Sequence, residues 1–348
     1  MSVRLGTCSG LPAALLSAAL LAACNGSSPT APTTLPVTSA PELPASRRIN
    51  GSVTSVLDGS PLAGVTVDIE QNGTAATDAA GRFLLSSQAP DGTYRVTATG
   101  PAVVTRQTRM VLPSNELGLT LIPSSFDTIS FEAFARGLSS EARTIRWLYP
   151  PTLIVETSVV LSPSNLNNAT AEQIPAGEAE RVIERLTQAL PLLTGSTFTT
   201  FASVTRQTTP AGQTIRMYTS GTITIVYFKE ADGTCGKAGP AIDVNAQIFA
   251  AAIWLKLGCA SIPNNNATMV HELGHALGYG HVTSTTSIMR PSGFFDDDVT
   301  PFDIAAASIV FRRPPGNRAP DTDPEPAGVN SVFSRSIGGG LRILPPLP

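Results

Sequence analysis

The chain has 348 residues, of which only 14% are charged, and a net charge of −3. That balance excludes the basic footprint of a nucleic-acid-binding protein, and the length leaves room for two domains plus unstructured segments. Gly and Pro number 29 each, which favours loop-rich β structure and linkers over long helices.

The chain opens with a targeting pattern. Arg4 is the only charge in the first 24 residues, and Leu11–Ala23 is an apolar run too short to span a bilayer. The run ends in Leu21-Ala22-Ala23-Cys24, which resembles the lipobox of bacterial lipoproteins. The resemblance implies a signal peptide over 1–23, cleavage before Cys24 and acyl chains on that cysteine, which together anchor a protein stably to a membrane. An ordinary secretory signal with a nearby cut is the competing reading. Asn25 follows Cys24, which in Gram-negative lipoproteins favours the outer membrane. The expected location is therefore the cell envelope of a bacterium, lipid-anchored at the outer membrane or cell surface. Residues 24–46 are rich in Ser, Thr, Pro and Ala, with Glu42 their only charge, and read as an extended linker.

Residues 47–123 change character. Short β-prone runs (Ile49–Val56, Val65–Gln71, Phe83–Ser87, Tyr94–Thr99, Thr105–Leu112, Leu117–Ile122) alternate with turns such as Asp58-Gly59-Ser60-Pro61, Asn72-Gly73 and Pro90-Asp91-Gly92. That rhythm predicts a small antiparallel all-β sandwich. The strings Gly51-Ser52-Val53, Pro61-Leu62-Ala63-Gly64-Val65, Thr77-Asp78-Ala79-Ala80-Gly81-Arg82-Phe83 and Gly92-Thr93-Tyr94-Arg95-Val96 resemble carboxypeptidase regulatory-like domains, which are transthyretin-like sandwiches. The residues quoted are turn formers and core strands, so the module reads as a spacer or docking unit without chemistry.

Residues 126–316 form a second unit. Thr144–Tyr149, Leu153–Leu161, Phe198–Val204, Ile215–Met217, Thr222–Phe228 and Gln247–Leu257 read as strands. Pro175–Leu193 repeats apolar residues at helical spacing, from Ala179 and Val182 to Leu190 and Leu193. Cys8 leaves with the signal peptide and Cys24 is consumed by lipid, so Cys235 and Cys259 remain for a disulfide in a compartment that permits oxidation. Two free thiols or an additional metal pair is the other reading.

All three histidines of the chain lie in His271–His281, reading HELGHALGYGH. Asn264–Asn266 supply N-cap oxygens, and Ala267–Leu277 is helix-prone, so His271 and His275 fall one turn apart on one face. Val270, Leu273 and Leu277 form the apolar stripe of another face. A continuous helix would carry position 281 roughly 15 Å beyond position 271, so the chain must turn, and Gly278 and Gly280 sit where it would. His271, His275 and His281 are then three ligands for Zn2+, with one position open for water. Two satisfied core histidines would explain HExxH alone, but not the third histidine at this spacing.

The spacing H-E-x-x-H-x-x-G-x-x-H resembles the metzincin metallopeptidases. The resemblance implies an α+β, zincin-like catalytic domain, Glu272 as general base, and a protein or peptide substrate. It also implies an edge strand beside the cleft, expected within Ala241–Leu257. Met289, eight residues past His281, matches the methionine turn that runs beneath the metal, where it is a floor and not a ligand. Met289-Arg290-Pro291, with Val299–Ala306 as the start of a closing helix, looks most like the matrixin branch, since Pro291 stands where astacins and serralysins carry a liganding tyrosine. Asp296-Asp297-Asp298 is a candidate calcium run, read chiefly as a solvated loop. Residues 317–348 read as a Pro/Gly-rich tail. The expected whole is a multidomain, membrane-anchored zinc endopeptidase. A non-catalytic envelope adhesion or binding protein with a structural zinc site, and a zinc hydrolase of non-peptide amides, are the competing readings.

Overall fold

The computed structural model describes residues 46–162, 168–230, 234–259, 266–291, 298–325 and 342–343. The signal peptide, Cys24, the linker to residue 45 and Asp296-Asp297 lie outside them. No helix among the described residues is long and apolar enough to cross a membrane.

The first unit is a two-sheet sandwich. One sheet orders β4 (Arg82–Ser87), β1 (Arg47–Ser55) and β7 (Glu116–Leu121); the other orders β3 (Gly73–Ala76), β2 (Thr66–Ile69), β5 (Gly92–Thr99) and β6 (Arg106–Leu112). Inward and outward residues alternate, most cleanly in β4 and β5, so Ile49, Val53, Val67, Ile69, Phe83, Leu85, Val96 and Leu121 meet in one core. The sandwich is not wholly antiparallel: β1 and β7 pair in parallel, because β7 returns from the second sheet to the free edge of β1. Strand β3 was not expected; it is four small, largely exposed residues whose place is set by pairing with β2 rather than by any apolar pattern. Gly51 is required by space. A Cβ there would lie 2.0 Å from Phe83 Cζ, so the Phe83 ring lies directly over the glycine.

The second unit is a mixed sheet with all its helices against one face. The sheet orders β10 (Ser203–Gln207), β8 (Thr152–Val160), β11 (Thr222–Phe228), β13 (Ile248–Lys256), β12 (Gly236–Ile242) and β14 (Arg342–Ile343), with β9 (Ala169–Gln173) as a hairpin on β8. β10, β8, β11 and β13 are parallel, whereas β12 and β14 run antiparallel to their neighbours. Helices α1 (Thr128–Arg136), α2 (Glu178–Leu192), α3 (Asn266–Leu277) and α4 (Pro301–Phe311) share a core with inward residues such as Leu153, Val155, Ile223, Ile225 and Ile253. The opposite sheet face buries Val226, Phe228, Ala252 and Trp254 against Ile215, Met217 and Tyr218. Burial on both faces explains why the central strands are continuously apolar.

Several local expectations shift. Thr144–Tyr149 is not a strand; an isolated bridge between Arg146 and Gln247 joins it to the chain entering β13. Phe198–Val204 gives way to β10, since Phe198 and Phe201 face the helical core from a connecting segment. Ile215–Met217 packs as irregular chain, its apolar side chains covering the outer sheet face.

A buried ionic knot joins the two units. Arg313, 1% exposed, donates to both carboxylate oxygens of Asp321 and to Thr120 O and Oγ1 at the end of β7. Arg106 of β6 donates to Asp321 and Asp323, and Asn317 Nδ2 donates to both. The stretch 317–325, expected as the start of a tail, thus supplies acceptors to both units. A buried charge pair adds little over an apolar pair but is costly to break from one side. Asp321→Asn, of nearly equal volume, should therefore lower unfolding free energy by roughly 3–5 kcal/mol in urea titrations. A midpoint equal to that of the parent would show that the knot does not hold the units together.

Candidate metal centre

Helix α3 is buried along nearly its whole length, including His271, Glu272 and His275. It ends at Leu277, where Gly278 adopts φ +108°, a conformation that glycine takes without strain. Gly280 serves a different purpose. Its φ is not left-handed, but a Cβ would lie 2.6 Å from Ala133 O, so only a bare backbone passes α1 there and donates its N–H to Phe134 O. The turn carries His281 back beside the helix. His281 Nε2 lies 3.1 Å from His275 Nε2 and 3.3 Å from His271 Nε2.

Those separations match the chemistry of one small ion. Nitrogens 2.0–2.1 Å from a tetrahedral zinc lie about 3.3 Å from one another. The tautomers agree as well. His271 Nδ1 donates to Ile288 O and His275 Nδ1 donates to Tyr279 O, each at 2.7 Å, which leaves their Nε2 lone pairs facing the shared point. Burial favours the neutral rings that a metal needs: it pushes His271 down to about 4, the Ile288 carbonyl opposing, and holds His275 well below the usual range. Among the described residues these three histidines form the one cluster of His, Cys, Asp or Glu with metal-ligand spacing.

Glu272 lies on the same helix, 2% exposed. Its Oε2 has no hydrogen-bond partner among the described residues, which is costly for a buried carboxylate oxygen. Burial raises its pKa well above the usual carboxylate range, and the nearby charge of Lys237 opposes that rise. Gly236, the first residue of β12, closes over it: a Cβ there would lie 2.5 Å from Glu272 Oε1. The edge strand beside the site is therefore β12, Gly236–Ile242, which overlaps the expected stretch only at its last two residues. Gln247–Leu257 is instead the inner strand β13. Two glycines and a proline hide β12 from any reading of β propensity.

Cys235 and Cys259 are joined, tying the start of β12 to the chain after β13, one residue from Gly236. Closing a 24-residue separation stabilises a fold by about 3 kcal/mol. Asp298, of the candidate calcium run, is ion-paired with Arg185, so its carboxylate is already engaged.

Met289 lies beneath α3, where Gly274 makes room: a Cβ on that glycine would sit 2.2 Å from Met289 Sδ. The turn is held from behind by Asp303, a residue whose role the sequence reading missed. Asp303 accepts from Ser287 Oγ, Ile288 N, Thr300 N and Thr300 Oγ1, and forms a capping box with Thr300 at the start of α4. The pattern Thr300-x-x-Asp303 carried the signal for that box. The chain of bonds runs from Asp303 to the Ile288 amide, and from the Ile288 carbonyl to His271.

Residues 48–121 match the family model of the carboxypeptidase regulatory-like domain, and residues 162–302 match that of matrixin. Both resemblances read from the motifs are thus borne out, and the matrixin match supports a metallopeptidase. No curated protein matches the chain. Among solved structures, metalloproteinase-II from Bacteroides fragilis is 13% identical, with 72% of this chain and 80% of that chain covered and a TM-score of 0.28. A cohesin–X-dockerin complex from Acetivibrio cellulolyticus is 24% identical over 21% of this chain and about half (51%) of that chain, with a TM-score of 0.17. Klebsiella pneumoniae 5-hydroxyisourate hydrolase is 23% identical over 21% of this chain and 84% of that chain, also at 0.17.

Asp303→Ala should weaken zinc binding by about 10–100-fold in chelator competition, the usual effect of removing an outer-shell support. An unchanged affinity would mean that the Ser287–Met289 turn orients His271 without Asp303.

Proposed function

With residues 162–302 matching matrixin, we propose that the chain is a zinc endopeptidase in which His271, His275 and His281 hold the ion and Glu272 is the general base. The observation that carries the reading is the meeting of His281 Nε2 with His275 Nε2 at 3.1 Å and His271 Nε2 at 3.3 Å, beside a buried carboxylate whose Oε2 has no partner among the described residues. A zinc ion bound there supplies Lewis acidity, lowering the pKa of a water and polarising a scissile carbonyl. The chain's own residues do the rest. Glu272 takes the proton of the attacking water on its carboxylate and returns it to the leaving amine nitrogen. Ile288 O and Tyr279 O fix the two helix imidazoles, and Met289 gives the site an apolar floor. A purely structural zinc site needs no general base and is ordinarily closed by a fourth protein ligand, so a buried Glu272 favours catalysis over the adhesion reading.

The test separates metal binding from catalysis. Glu272→Ala should keep about one zinc per chain, by elemental analysis, while cleavage of an unfolded protein falls ~10²–10⁴-fold. His281→Ala should lose zinc and activity together. Wild-type protein that holds zinc but cleaves no peptide bond would favour the binding-protein reading, and a non-peptide amide substrate would then be the next assay.

We also infer a lipid-anchored place in the bacterial envelope, on the strength of Leu21-Ala22-Ala23-Cys24 alone. Cys24→Ser should move the protein from the membrane to the soluble fraction and abolish palmitate labelling. A variant that fractionates with membranes as before would remove the anchor from the account.

A further inference from the structure

Strand β12 is the last long strand of its sheet on the side of the site. It carries the marks of an edge. Pro240 has no N–H to give a second neighbour, Gly236 and Gly239 present bare backbone, and the register against β13 shifts between Ala241 and Ile242. Its first residue abuts Glu272, so an extended peptide laid along this edge passes the metal centre. In this structure the far end of that edge is paired by the chain itself. β14 lies antiparallel to it, Arg342 opposite Ile242 and Ile343 opposite Ala241. Successive residues of β14 therefore step along β12 toward Gly236, from a start roughly 17 Å away, in the direction an antiparallel peptide would take to reach Glu272.

We propose that β14 is an autoinhibitory strand, which an extended substrate must displace from β12 before it can be cleaved. The proposal rests on the peptidase reading above. The sequence limits how tightly the strand holds. Pro345 and Pro346 follow within three residues of Ile343 and have no N–H to donate to a ladder, so the contact is short and reversible. Being intramolecular, it competes at an effective concentration on the order of millimolar. A strand of intrinsic affinity ~0.1 mM then occupies the edge in about nine molecules of ten, and raises the apparent KM about tenfold without changing the chemical step.

The experiment compares the full chain, a chain ending at Gly340, and the full-length variant Arg342→Pro, which lengthens nothing and removes the backbone donor of β14 that faces Ile242. Each is assayed for KM and kcat on one unfolded-protein substrate, and for amide hydrogen exchange at Ile242, whose N–H faces β14, in a zinc-free sample. The expected result is an apparent KM about tenfold lower in both variants, kcat within twofold of the full chain, and faster exchange at the Ile242 amide. Equal KM in all three proteins would overturn the autoinhibition, whether or not exchange changes. Cleavage by none of them would overturn the peptidase reading, and the inhibition with it, while the exchange data would still report whether β14 pairs with β12. The proline variant guards against a truncated chain that fails to fold.

Discussion

Three imidazole nitrogens must meet within about 3.3 Å of one another, yet two come from a rigid helix and the third from a residue ten positions on. That constraint organises the second unit. α3 has to stop within two residues of His275, and the chain has to reverse against α1 with no side chain in the way. Gly278 supplies the left-handed dihedral and Gly280 the clearance, so two glycines in one short motif answer two different demands. Gly274 answers a third, the approach of Met289 from below. Any Cβ at these positions would push apart elements that the metal centre needs in contact.

The polar groups around the centre are arranged outward in shells, each satisfied by the next. His271 is oriented by a carbonyl in the turn, the turn by Asp303, and Asp303 by its place at the capped start of α4. Glu272 breaks the pattern, as the one carboxylate among the described residues with a buried oxygen lacking a hydrogen-bond partner. Leaving such an oxygen unpaired costs about 1–3 kcal/mol or more. The knot of Arg106, Arg313, Asp321 and Asp323 is the contrasting case: buried, with each charge facing an opposite one. It makes the regulatory-like sandwich and the matrixin-like unit share one interface rather than hang on a linker.

Strand β12 ties these themes together. The disulfide fixes its first turn of chain, Gly236 brings its backbone onto Glu272, and its free edge runs away from the site toward β14. An edge strand beside a buried carboxylate is both a binding surface for extended chains and an aggregation liability, and covering it with a strand of the same chain answers both.

Much of this was legible in the residues. The histidine spacing, the turn at Gly278, the apolar face of α2 and the alternating strands of the sandwich follow from helix and strand periods, which act over a few residues and leave their trace in one segment. What stayed hidden depends on contacts between segments. The parallel pairing of β1 with β7, the exposed strand β3, the role of Asp303 and the packing of 317–325 between the two units each need a partner in another segment, in one case over 200 residues away. β12 is the clearest instance. Its residues Gly236-Lys237-Ala238-Gly239-Pro240 have no intrinsic preference for a strand, and become one because β13 offers a ladder on one side and α3 a buried surface beneath. The sequence by itself determined which atoms could hold a metal, since that is written in residue type and spacing. Only the tertiary structure decided which backbone borders the site and what covers it, because pairing partners are chosen by the whole packed sheet.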